Sequence, residues 1–100
     1  MLKSEWQALV SRFLEGEMDA PAFETAFIRA YNMARLPGDV PYTMDLLFYE
    51  VDAYCADPAL RGPEDIDDVQ LKAAARALVA RIDEPWPRPS GTVTSVPEGL

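Results

Sequence analysis

The sequence predicts an all-α fold, an antiparallel four-helix bundle followed by an extended, proline-rich C-terminal tail. Apolar residues recur at helical spacing in four separate segments. Proline, glycine and aspartate separate those segments at short intervals. Ala, Leu, Glu and Arg are frequent, and strand-type alternation is scarce. Four amphipathic helices with short connections bury their stripes most simply as an antiparallel bundle.

The first helix is predicted from about Glu5 to Glu15, with Trp6, Leu9, Val10, Phe13 and Leu14 on one face. Ser4 and Gln7 have the spacing of a capping box, and Gly16 suits the left-handed position after the helix. The second helix follows Asp19-Ala20-Pro21, because proline is harmless in a first turn. Its stripe is Phe23, Phe27, Ala30, Tyr31 and Ala34, and Leu36-Pro37-Gly38-Asp39 stops it. The third helix is expected from Pro41 or Thr43 to Ala56, before Asp57-Pro58. Met44, Leu47, Phe48, Val51 and Cys55 face one way, with Tyr54 at the edge. Asp57 to Ile66 reads as a loop. The fourth helix has Asp67 as its cap and Gln70 three residues on, with Ile66 and Leu71 at the hydrophobic-staple positions. Its buried face is Leu71, Ala74, Ala75, Leu78, Val79 and Ile82. The aromatic knobs Trp6, Phe13, Phe23, Phe27 and Phe48 suit the core. Residues 1–83 thus form the helical domain, and 84–100 an extended or disordered tail. Alternate prolines from Pro85 forbid further helix, and Trp86 can pin the tail to the bundle.

A chain of 100 residues supports one modest core. No apolar run approaches the roughly 18–20 residues of a membrane helix, and the N-terminus lacks the pattern of a signal peptide. One cysteine builds no disulfide framework, so a cytoplasmic address is expected. The net charge of −8 disfavours nucleic acid and anionic membranes and favours a basic partner. The imbalance is local. From residue 45 to 68 eight acids face a single base, Arg61, a net of −7.

Chemistry is hard to place on this chain. There is no histidine. Cys55 reads as a small buried core residue without an activating neighbour. The glycines form no phosphate-binding loop. Glu64-Asp65-Ile66-Asp67-Asp68 has neither the spacing nor the glycine of a calcium loop. No catalytic residue, metal or cofactor is expected.

Helix-dipole complementation explains the acids at the start of the fourth helix, where each carboxylate contributes about 0.3–1 kcal/mol. It does not explain Asp45, Asp52 and Asp57. On a helical wheel Asp45, Tyr49 and Asp52 share one polar strip, with Leu46 beside it. An aromatic ring projecting among carboxylates has the composition of a binding hot spot with a polar surround.

The run Leu47-Phe48-Tyr49-Glu50-Val51-Asp52-Ala53-Tyr54, followed by the acidic helix start Asp65-Ile66-Asp67-Asp68, resembles the bacterial self-protective colicin-like immunity family, of the colicin D immunity type. The resemblance covers roughly Phe23 to Ile82; the first helix agrees only in length and pattern. It implies a small acidic helical protein that binds a basic nuclease toxin, of the type that cleaves transfer RNA, and occupies its substrate groove with carboxylates in place of phosphates. The matching acids here are Asp52, Asp57, Glu64, Asp65, Asp67 and Asp68. With Asp45 and Tyr49 they make the expected partner-binding set. The expected partner is the basic toxin domain, bound by a monomer in a one-to-one complex, with no direct contact to nucleic acid or membrane. The alternative is a small helical adaptor for another basic protein, whose Pro85-Trp86-Pro87-Arg88-Pro89 segment serves as a proline-type ligand. A third reading, a hydrolase using carboxylates, requires two of them held in a pocket.

Overall fold

The computed structural model describes residues 1–87; the part of the expected tail from Arg88 onward lies outside them. Four helices follow in order: α1 (Lys3–Leu14), α2 (Ala20–Ala34), α3 (Tyr42–Ala53) and α4 (Asp68–Val79). Among the described residues there is no strand, and no helix is long and apolar enough to cross a membrane.

The helix starts follow capping chemistry. In α2 the Asp19 carboxylate accepts the Ala22 N–H at 2.9 Å, and Pro21 sits in the first turn. In α4 Asp67 accepts the Gln70 N–H at 2.8 Å and Gln70 accepts the Asp67 N–H at 2.9 Å. Leu71 is fully buried and Ile66 packs against the core, completing the staple. The start of α1 differs from expectation. Ser4 lies inside the helix, and the Leu2 N–H donates to the Glu5 carboxylate at 2.6 Å instead.

The end of α3 also differs. The spacing predicts helix to Ala56, but it stops at Ala53. The Ala53 carbonyl, which a further turn would need, accepts the Ile66 N–H at 2.9 Å, and the Cys55 N–H donates to the Ile66 carbonyl at 3.0 Å. This single parallel bridge turns Tyr54 into the core and leaves Cys55 half-buried beside it. Cys55 is therefore not the fully buried core residue that a longer helix would make it.

Contacts between helices fix the direction of packing. Phe13, late in α1, stacks on Phe23, early in α2, at 4.3 Å. Tyr31, late in α2, donates to Asp45, early in α3. Tyr54, just past α3, donates to Asp68, the first residue of α4. Lys3, at the start of α1, pairs with Asp83, just past α4, at 2.7 Å. Each neighbour is thus antiparallel to the last, and the ring of helices closes α4 onto α1.

The core holds Trp6, Val10, Phe23, Phe27, Met44, Leu47, Val51 and Leu71, all without exposure. Phe23 tilts against Phe27, and Phe27 against Trp6, with ring centroids 5.5 and 5.4 Å apart. Phe48 stands outside this ladder, half-buried and stacked on Tyr31 at 4.0 Å. At the tail, the Trp86 indole N–H donates to the Val40 carbonyl at 3.0 Å and its ring packs against Tyr42.

Candidate functional site: an acidic pole of the bundle

The antiparallel order sends four helix termini to one end: the C-termini of α1 and α3 and the N-termini of α2 and α4. Tyr54 lies at the centre of that end. Its hydroxyl donates to Asp68 at 2.6 Å. Burial, that hydrogen bond and the nearby carboxylates of Asp68 and Glu24 hold its pKa above the ordinary phenol value, while Arg61 opposes them. Glu24 of α2 therefore belongs to the same end as Asp68. The register agrees: Tyr31 meets Asp45, so Glu24, seven residues earlier, comes opposite Asp52, seven residues later.

The bridge between Tyr54 and Ile66 clamps the end of α3 to the approach to α4. It gathers Asp52, Asp57, Glu64, Asp65, Asp67 and Asp68 at this pole, with Glu15, Glu17 and Asp19 arriving on the α1–α2 turn. Several carboxylates hold local backbone as well. Asp57 accepts the Ala59 N–H at 2.9 Å, Asp65 accepts the Gly62 N–H at 2.8 Å, and Asp67 caps α4. These bonds fix the acids in direction without neutralising them.

The bases at this pole neutralise at most one of its carboxylates. Arg61 directs its guanidinium to the Cys55 carbonyl, at 2.8 and 3.1 Å. Lys72 lies over the Phe13 ring, 5.9 Å from its centroid. Arg12 makes a long contact of 3.9 Å with Glu17. Among the described residues, none of the eight acids between Asp45 and Asp68 takes part in an ion pair. Glu50 and Asp52 also occupy the last turn of α3, which carries no base. Negative charge there opposes the helix dipole and costs stability.

Two members of the expected set lie apart from this pole. Asp45 stands in the first turn of α3, toward the opposite end, and accepts the Tyr31 hydroxyl at 2.7 Å. Tyr49 lies one turn before Asp52 on the outer side of α3 and is 61% exposed, whereas Leu46 is half-buried. Glu24, Asp19, Glu15 and Glu17 were not in the expected set. A count along the chain misses them, because they join the pole only once the charges are summed by bundle end.

The hydrogen bond to Asp45, followed by burial, pushes the Tyr31 pKa from 10.0 up to about 12. A raised folded-state pKa contributes stability that is whole below pH 10 and is lost as pH rises through about 12. The stability gap between the native chain and Tyr31→Phe is therefore expected to be constant below pH 10 and to shrink above it. Urea denaturation across that range measures the gap, and a constant gap to pH 12 would rule out the assigned linkage.

Among the described residues no group of three or more histidine, cysteine or carboxylate side chains is placed to hold a metal ion. A family model for bacterial self-protective colicin-like immunity matches residues 2–82, all four helices. That span includes α1, beyond the Phe23–Ile82 resemblance. No curated protein and no solved structure matches the chain.

Proposed function

The chain belongs to the bacterial self-protective colicin-like immunity family, and on that premise we propose that its acidic pole blocks the basic substrate groove of a cognate nuclease toxin, of the type that cleaves transfer RNA. The family makes it an immunity protein against a bacteriocin. The nuclease target and the occluding mechanism are our reading. The observation that carries it is the pole itself: carboxylates from four helix termini and a clamped loop, with Arg61 held by the Cys55 carbonyl, Lys72 over the Phe13 ring and Arg12 within reach of Glu17 alone. Such a surface presents fixed negative charge where a nuclease groove expects phosphates. It would also steer the toxin toward capture, since complementary fields raise association rates.

The partner-binding set in this reading is Asp52, Asp57, Glu64, Asp65, Asp67 and Asp68, extended by Glu24, with Tyr49 and Asp45 on the flanking face of α3. Trp86 donates its indole N–H to the Val40 carbonyl and tilts against Tyr42, which ties the start of the proline-rich segment to the bundle and weighs against the adaptor alternative, although the ring keeps 53% exposure.

Co-expression with the product of a neighbouring toxin gene, followed by co-purification, tests the reading. A one-to-one complex and protected cells are expected; a toxin that neither binds nor loses toxicity would overturn it. Within that complex Tyr49→Ala should raise the dissociation rate about tenfold, in line with loss of an aromatic anchor, and leave folding stability nearly unchanged. An unaltered dissociation rate would assign Tyr49 to the scaffold.

A further inference from the structure

Beside the α1–α2 turn the acidic pole contains a cleft of about 290 Å3, walled by Phe13 and Asp19 on one side and Asp68 and Lys72 on the other. We propose that this cleft receives an arginine side chain of the toxin, with Lys72 as its resident cation; the identity of the donor rests on the function proposed above, but the chemistry of the cleft does not.

Both carboxylates are oriented in advance. The Oδ1 of Asp19 is held by the Ala22 N–H at 2.9 Å, and the Oδ1 of Asp68 by the Tyr54 hydroxyl at 2.6 Å. Each keeps its second oxygen for a ligand. Phe13 is fixed as well, since Phe23 stacks on it with only 8° between the ring planes. The cleft already attracts a cation, because the Lys72 ammonium lies 5.9 Å from the Phe13 centroid. Among the described residues that ammonium forms no ion pair with Asp19 or Asp68. The ring is therefore covered while the two carboxylates remain unpaired.

Arginine fits this arrangement better than lysine. A planar guanidinium can lie over an aromatic ring and donate from its edge to two carboxylates together. An incoming guanidinium would displace the flexible Lys72 side chain into solvent. The cleft lies where the start of α2 meets the start of α4, so an arginine seated there would hold the toxin against the most acidic part of the surface.

The test uses the full chain and N-acetyl-arginine amide as the probe, followed by backbone amide chemical shifts. Saturable shifts are expected at Phe13, Gly16 and Asp19. Lys72→Ala should tighten the probe about threefold to tenfold, the range of a modest cation–π competition. Asp19→Asn and Asp68→Asn should each weaken it, and both keep a side-chain acceptor for the Ala22 N–H or the Tyr54 hydroxyl, so the fold is preserved. Arg12→Ala, which removes a positive charge from the same pole outside the cleft, should tighten the probe much less than Lys72→Ala does. Shifts that do not saturate, or an Arg12→Ala effect equal to that of Lys72→Ala, would overturn the cleft. A saturating probe without toxin capture would overturn the functional reading alone; toxin capture without a saturating probe would overturn the arginine site alone.

Discussion

Replacing Phe23 with alanine is expected to cost about 3–5 kcal/mol of folding stability, the usual range for a fully buried aromatic side chain. The ring has no exposure, stacks on Phe13 and tilts against Phe27, so its loss opens a cavity between α1 and α2. A domain of this size holds only about 5–15 kcal/mol in total. The variant should therefore unfold at far lower urea and populate unfolded chain near physiological temperature. The damage reaches the acidic pole, because Phe23 supports Phe13 and lies one residue from Glu24. A urea midpoint close to that of the native chain would mean that the aromatic ladder is not the core.

Asp52→Lys should separate stability from function. Asp52 is exposed and sits in the last turn of α3 among other carboxylates, where its charge opposes the helix dipole. Lysine there reverses the unfavourable term, so the variant should fold with equal or greater stability, by about 0.3–1 kcal/mol. Against the basic groove proposed for the toxin the same change places like charges together. Affinity should fall by roughly thirtyfold, about 2 kcal/mol, mostly through slower association at low salt. A substitution that stabilises the protein while weakening its complex marks the residue as kept for binding. If Asp52→Lys destabilised the fold and left toxin affinity intact, Asp52 would be structural.

Much of the fold was legible from local rules. Asp19 and Asp67 cap α2 and α4 because each has the residue type, the spacing and the following apolar stripe. The end of α3 was not legible, since Ile66 captures the Ala53 carbonyl from thirteen residues away and no local signal announces it. The same tertiary bond decides the fates of Tyr54 and Cys55. Phe48 reads as core from its spacing, yet Tyr31 takes it up at the rim. The acidic stretch was visible as a run of letters. Its shape was not, because Asp45 binds Tyr31 toward the other end while Glu24 and Asp19 arrive from α2. Charge counted along the chain found the sign of the surface; helix direction decided its membership.

In the proposed function the acidic pole and a nucleic acid compete for one groove on the toxin. Displacement of a fluorescent transfer RNA from the isolated, catalytically inactivated toxin domain tests it most directly. One equivalent of the native chain should release the RNA completely, and Asp52→Lys should need a large excess to do the same. A stable ternary complex of toxin, RNA and this protein would contradict the claim.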